Sequence, residues 1–560
     1  MLSFLLVMCL SATAQRNRET KPEVFTKADT LRGMLTPLRS CYDVRFYHLD
    51  VTIDPEKKTV KGSNTIRFDV VTSFSEMQID LSKEMSIQSI VLDGTEKLTW
   101  EREFGAVFVQ LPRKLEAGSR HDIIVSYSGS PIVAARPPWD GGFTWTHDSS
   151  GHPWVVVTCQ GTGASLWWPT KDHQSDKPDS MLISITVPPD LMDVSNGRLR
   201  GVSTLPGGWK RFDWFVSYPI NTYNVTVNIG VYSHFSDVYE DNDTLTLDYY
   251  VLPPNIEKAR EQFSQVKGML RAYERYFGKY PFLRDGYKLV ESPHTGMEHQ
   301  SAVAYGNWYM QGYRGRASSE VGLLFDFIII HESAHEWWGN SVTAADVADM
   351  WIHESFGAYA EGLYVEALYG RAASLEYINA KKKNVGNTAP IIGRFNVNHS
   401  GSGDMYDKGQ LVLNTLRSVI DNDSLWYSII RGLAERYRYK AIAGSDLVTF
   451  VNQKAGTDLG YFFEQYLQHP ALPQLDVFLT RKGSITTARY RWKADVADFR
   501  MPLKVTTSRG RFEFIRPTTI WQTMTIGDLR PEEFAVETEL FYVDVRLNWM
   551  YLDPRLKEAR

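Results

Sequence analysis

Three side chains able to bind a metal ion lie close together in the chain. His331 and His335 are four residues apart in His-Glu-Ser-Ala-His, and Glu354 follows with eighteen residues between. At 3.6 residues per turn, the two imidazoles stand one turn apart and about 40° apart around a helix axis, on one face. Two neutral imidazoles held in this way can take two corners of a zinc tetrahedron. A carboxylate can take the third, leaving the fourth to water. Glu332 follows the first histidine, so its carboxylate comes near the same point without serving as a ligand. That is where the general base of a metal-assisted hydrolysis must stand. The expected cofactor is one Zn2+ per chain on His331, His335 and Glu354, with Glu332 as a catalytic residue. His-Glu-x-x-His also arises by chance on solvated helix faces; Glu354 at this spacing and Trp337-Trp338-Gly339-Asn340 behind the second histidine argue against that here.

The elements that must position these groups are read from the surrounding pattern. Residues 321–330 are almost wholly apolar, which predicts a helix carrying both histidines, with Ser318 or Ser319 as its N-cap. Trp351, Phe356, Tyr359 and Leu363 recur at helical spacing around Glu354, and the intervening residues suffice to turn this second helix back against the first. Upstream, 255–277 is amphipathic and predicts one helix stopped by Gly278. Residues 286–290 read as a strand and 410–420 as a helix. From about 40 to 245 the pattern is of strands. Tyr47, Leu49, Val51 and Ile53 alternate, Asp93-Gly94 suits a hairpin, and further strands are expected at 122–128, 154–158, 181–187 and 221–231. Strand-like text returns at 475–481, 486–492, 503–507 and 541–547, enough for a small β-sandwich.

A chain of 560 residues is too long for one core. The expected organisation is multidomain α+β: a leader at 1–14, an N-terminal antiparallel β domain at 15–245, a mostly helical catalytic domain at 246–473, and a small C-terminal β-sandwich at 474–560. The net charge of -5 gives no reason to expect nucleic acid or an anionic membrane as partner. Residues 1–14 have a short apolar core and end in Ala12-Thr13-Ala14, as in a cleaved secretory signal peptide, although no lysine or arginine precedes the core. Cys9 raises a lipoprotein alternative, for which Met8 is a poor fit. No later stretch reaches eighteen uninterrupted apolar residues, so no membrane span is expected and the protein is read as exported, periplasmic or extracellular. Beyond the leader only Cys41 and Cys159 remain, too few for a disulfide framework. Whether they pair is left open, with two buried free thiols the simpler reading. The run Lys381-Lys382-Lys383 reads as a solvated helix end.

His335-Glu-Trp-Trp-Gly-Asn340 and Trp351-Ile-His-Glu-Ser-Phe-Gly-Ala-Tyr-Ala-Glu361 resemble the zinc aminopeptidase family of alanyl aminopeptidase and leukotriene hydrolase. These are gluzincins with a thermolysin-like catalytic domain. The resemblance covers nearly the whole chain after the leader and is most specific in 298–409. It implies a zinc metallo-aminopeptidase, a hydrolase whose partners are peptides with a free N-terminus; it fixes no oligomeric state. The family has a Gly-x-Met-Glu-Asn strand whose glutamate binds the substrate α-amino group. Gly296, Met297 and Glu298 look like its centre, with Thr295 for the first glycine and His299 for the asparagine, which places a titratable ring near the cleft. The chemistry also stands without the family, since a carboxylate in a partly dry cleft recognises a terminal ammonium by a charge-assisted hydrogen bond. Gln160 falls on a family position that sends a polar side chain into the site. Tyr406, with Lys408 and Gly409, resembles a Tyr-x-Lys-Gly motif whose tyrosine donates to the oxyanion. Glu361 lies seven residues beyond Glu354, two turns along the same face, where it can reach a zinc histidine from behind or remain a surface carboxylate.

The mechanism implied has a zinc-activated water, Glu332 as general base, Tyr406 as oxyanion stabiliser, and Glu298 with Gln160 on the substrate N-terminus. Two other classes stay open: another zinc hydrolase on this scaffold, an endopeptidase or epoxide hydrolase, and a non-catalytic binding protein that keeps the fold. The last would show the loss of a ligand or of Glu332, and neither is lost.

Overall fold

Period-two alternation builds the first layer. The computed structural model describes residues 24–241 and 243–552, so the expected leader lies outside the described residues. In the strand Tyr42–Asp54, the side chains of Tyr47, Leu49, Val51 and Ile53 are all buried. This strand pairs antiparallel with Thr59–Val70 and parallel with Ser180–Val187, Leu49 facing Ile183. These three lie inside an eight-stranded sheet that runs from Arg198–Thr204 at one edge to Glu96–Lys97 at the other. The β domain is therefore not wholly antiparallel. The chain between the two parallel strands is long, holds further strands of its own, and can return in the same direction. Asp93 and Gly94 both take positive φ in the expected hairpin. Of the strand expected over 221–231, only Asn228–Gly230 forms. The polar side chains before it reach out of the β domain instead: Asn221 Nδ2 donates to Gly339 O and Asn224 Nδ2 to Asn340 Oδ1. Cys41 and Cys159 are buried and free.

A five-stranded sheet follows. Ser233–Asp241 and Asp243–Val251 form a hairpin, and the second strand runs parallel to Tyr287–Glu291. The sheet that carries the site thus begins ahead of the boundary expected at 245/246. Its first strands alternate like those before them, and the visible change of pattern was only the onset of helices. Tyr287–Glu291 pairs with Val303–Tyr305, which pairs with the short edge strand Gly296–Met297. Leu289, Val303 and Tyr305 face the core of the helices, whereas Val290, Met297 and Ala304 face the core of the β domain. The edge bearing Gly296 and Met297 is held between two hydrophobic cores.

The helix expected over 255–277 is two, Ile256–Gln262 and Gln265–Phe277. At the break, Ser264 Oγ donates to Glu261 O, a local bond that competes with the helical ladder, and Phe263 packs on Tyr249 and Tyr305. The lysine run is not a solvated helix end. Lys381–Asn384 is a 3-10 turn in which Lys381 is buried, Lys382 Nζ donates to Thr538 O and Lys383 Nζ to Ser318 O. The C-terminal strands form a four-stranded sheet and a separate hairpin, Leu503–Ser508 with Arg511–Ile515. The last strand is Asp544–Tyr551 and not 541–547, because Phe541 is buried in the core and Tyr542 N donates to Thr415 Oγ1. Among the described residues no helix is long and apolar enough to cross a membrane.

The first histidine helix is Phe327–Ala334, and its N-cap is Asp326 rather than Ser318 or Ser319. Asp326 Oδ1 accepts from the backbone N–H groups of Ile328 and Ile329 and from Asn307 Nδ2. Its other oxygen accepts from Gln262 Nε2 and Tyr305 OH. One buried carboxylate thus ties the start of this short helix to the helix Ile256–Gln262 and to the sheet. Removing it in Asp326→Ala loses a cap worth about 1 kcal/mol and strands buried donors at about 1–3 kcal/mol each. The thermal unfolding midpoint should fall by about 5 °C or more; an unchanged midpoint would show that the helix start is held elsewhere.

Candidate active site

His331 lies in the helix Phe327–Ala334 and His335 caps its C-terminal end. His331 Nδ1 is 2.7 Å from Glu361 Oε1, and His335 Nδ1 is 2.9 Å from Trp338 O. A carboxylate and a carbonyl can only accept, so a neutral ring in either place keeps its proton on Nδ1 and turns the Nε2 lone pair inward. The two Nε2 atoms are 3.4 Å apart, and Glu354 Oε2 stands 3.8 Å from one and 3.4 Å from the other. Ligands about 2.0–2.1 Å from a tetrahedral zinc are separated by roughly 3.3–3.4 Å. Glu354 Oε2 is moreover buried with no hydrogen-bond partner.

Charge points the same way. Burial opposes an imidazolium here, yet Glu354 and Glu361 outweigh it at His331, raising it well above the usual histidine range. At His335, burial is likewise outweighed, by Glu354 and Glu298, and the ring is raised to about 9. The buried carboxylates alone would draw protons onto both rings; a dication meets the same demand and leaves each imidazole neutral. The residues fit zinc. A second trio, Glu298, Glu332 and His335, also has donor atoms within 4.8 Å of one another. It is the poorer site, because Glu298 Oε1 already accepts from Gln160 Nε2 at 2.5 Å and Tyr223 OH at 3.2 Å.

The helix Trp351–Tyr369 brings both Glu354 and Glu361. It approaches His335 closely because residue 357 is glycine; a Cβ there would lie 3.0 Å from His335 Cε1. Glu361 is 1% exposed, which excludes the surface reading, and Oε2 accepts from Tyr377 OH and Lys381 Nζ at 2.6 Å each. Phe327 stacks on the His331 ring, 5.1 Å between centroids.

Around these ligands is a cavity of about 450 Å³, lined by the metal trio together with Gln160, Glu298, Glu332 and Tyr406. Gly296 and Met297 line it too. Gly296 makes room for the base, since a Cβ at 296 would lie 2.5 Å from Glu332 Oε1, and Met297 anchors the strand in the β-domain core. Burial raises the Glu332 carboxyl, with His331 and His335 opposing. Burial also pushes Glu298 up to about 7, Glu354 and Glu332 adding to it and His335 opposing. Burial, then Glu354 and Glu298, raise the Tyr406 hydroxyl well above its usual value, so it remains an O–H donor. Gln160 Nε2 donates to Glu354 Oε1 at 3.0 Å as well as to Glu298, linking the two carboxylates. His299 does not line the cavity; its ring is buried, and burial pushes it down to about 3, a neutral ring.

Sequence reading missed Tyr223, Asn340, Tyr377 and Lys381. Asn340 Nδ2 donates to the backbone carbonyl of Glu298 at 2.8 Å, while Lys177 Nζ donates to Asn340 O at 2.5 Å. With Asn221 and Asn224, the β domain grips the loop behind the second histidine and through it the Glu298 strand. The density of amide side chains in Asn221-Thr-Tyr-Asn224, inside a segment read as a strand, was the available signal.

Two family models match the chain: the Peptidase M1 N-terminal domain over residues 43–224 and the Peptidase family M1 domain over residues 261–466. Endoplasmic reticulum aminopeptidase 1 of Rattus norvegicus is 21% identical over 512 residues, 84% of this chain and 52% of its own length. Aminopeptidase N of Lactobacillus helveticus is 22% identical, over 78% of this chain and 52% of its own. The chain spans about half the length of the curated relatives it matches. The crystal structure of an M1 zinc metallopeptidase from Deinococcus radiodurans is similar in fold, with a TM-score of 0.64 at 20% identity over 77% of this chain and 94% of that one.

Metal content tests the trio. His331→Ala and Glu354→Ala should each lose bound zinc, whereas Glu332→Gln, which removes a base but no ligand, should keep one ion per chain by elemental analysis of the purified proteins. Loss of zinc in Glu332→Gln would instead make Glu332 a ligand.

Proposed function

Because the chain belongs to peptidase family M1, we propose that it is a zinc-dependent aminopeptidase that removes the N-terminal residue from peptides. The observation that carries this reading is the position of Glu298. Its carboxylate is buried and has a donor atom within 4.8 Å of those of Glu332 and His335. An ammonium bound there leaves room for only one residue before the bond to be cut.

His331, His335 and Glu354 would hold the zinc, which when bound supplies Lewis acidity, polarising the scissile carbonyl and lowering the pKa of water. Glu332 takes a proton from the attacking water and later delivers it to the leaving amine. Tyr406 donates its O–H to the oxyanion as charge develops. Glu298 accepts from the substrate α-ammonium, whose charge counters the burial that otherwise favours the protonated acid. Gln160, donating to both Glu298 and Glu354, keeps the amine site and the metal site at a fixed separation.

Breaking a buried carboxylate–ammonium pair costs roughly 3–5 kcal/mol. N-acetylating a good dipeptide substrate should therefore lower kcat/KM by about two to four orders of magnitude. Glu298→Ala should do comparable harm to the free peptide and little more to the acetylated one, so the two changes are strongly coupled. Efficient turnover of the capped peptide would favour an endopeptidase. Additive losses would mean that another group counts off the first residue, Gln160 being the next to test.

Tyr406→Phe separates the transition state from binding. An oxyanion donor should cost on the order of a hundredfold in kcat with KM little changed. A loss confined to KM would make Tyr406 a binding or packing residue.

A further inference from the structure

One buried charge beside the site has no part in the chemistry above. Lys381 is 8% exposed, and its Nζ lies 2.6 Å from Glu361 Oε2 and 3.4 Å from Asp407 Oδ1. The ammonium also stands 5.2 Å from the ring centroid of Phe327 and 4.8 Å from that of Tyr377. Phe327 is the ring stacked on His331, and Tyr377 donates its hydroxyl to the same Glu361 oxygen. The cation is thus caged by the groups that surround the first histidine.

The charge of Glu361 explains what such a cation does. A buried carboxylate with no cation beside it is costly. Here Lys381 Nζ and Tyr377 OH both donate to Glu361 Oε2, which pins the carboxylate so that Oε1 meets His331 Nδ1 at 2.7 Å. A carboxylate released from that grip would let the ring turn and spoil the orientation that points His331 Nε2 toward the other ligands.

We propose that Lys381 is a positioning residue for the metal site: its ammonium neutralises Glu361, keeps that carboxylate an acceptor for His331 Nδ1–H, and so fixes the first metal ligand. This rests on the zinc reading above. The same turn reaches the oxyanion side of the cavity. Asn384 Nδ2 donates to Asp407 Oδ2 at 2.8 Å, and Asp407 follows Tyr406 and begins the helix Asp407–Ile420. One buried ammonium therefore braces both the first histidine and the start of the helix beside Tyr406.

Zinc affinity of the full chain, measured by chelator competition, tests this without reference to turnover. Lys381→Met should weaken zinc binding about 10- to 100-fold while Glu361 is present, the usual cost of losing a partner behind a metal ligand. In the Glu361→Gln background residue 361 has no charge left to neutralise, and the same substitution should then cost under about threefold. Should Lys381→Met not fold, judged by the thermal unfolding of the metal-free protein, Lys381→Gln keeps most of the stem and replaces it in both backgrounds. An equal loss in the two backgrounds would mean that Lys381 only packs, and no loss in either would mean that the site does not depend on it; both overturn the proposal. A parent protein that binds no zinc would overturn the metal reading itself, a result distinct from either.

Discussion

Glu298, Glu332, Glu354 and Glu361 are each at most 8% exposed, and they converge on one pair of histidines. Carboxylates buried this close together cannot all stay ionised unless cations stand beside them. The surroundings supply those cations in different ways. Glu361 has a permanent one in Lys381. Glu354 has an oxygen with no hydrogen-bond partner, set between two imidazoles, where a dication fits. Glu298 is raised toward neutrality, and under the proposed function the ammonium of a peptide would match it. Glu332 has only the two imidazoles near it, and under the proposed function it is the group that gains and loses a proton.

Such charges are affordable only where the protein around them is rigid, and the rigidity comes from the junction of two cores. The five-stranded sheet packs one face on the helices and the other on the β domain. At its edge, the carbonyl of Glu298 is held by Asn340, itself held by Asn224 and Lys177 from the β domain. Gln160, from the same domain, reaches across to both Glu298 and Glu354. The surroundings of Glu298 are therefore shared between the domains, while the metal ligands come from two packed helices of the catalytic region. Close approach is bought at small residues: Gly357 under His335 and Gly296 under Glu332.

Much of this was legible in the chain because it depends on local spacing. Two histidines four apart share a helix face whatever the rest of the protein does, and Glu354 with Glu361 share a face for the same reason. The alternation of Tyr47, Leu49, Val51 and Ile53 needs only a strand with one buried side. Glu298 and Tyr406 were found less by pattern than by resemblance, since a single glutamate or tyrosine carries no periodic signal.

What tertiary structure alone decided are the properties that belong to pairs of residues distant in sequence. Asp326 rather than a serine caps the histidine helix because Gln262, Tyr305 and Asn307 come together at that point. Ser233–Asp241 joins the catalytic sheet because its hairpin partner pairs with Tyr287–Glu291, a register that its own alternation cannot reveal. Lys381 looked like one of three solvated lysines, since nothing in Lys-Lys-Lys tells which ammonium will meet a buried carboxylate. Periodicity determines which face of an element is apolar, but charge pairing and capping in a dry interior are set by the partner that folding brings, and the sequence does not name that partner.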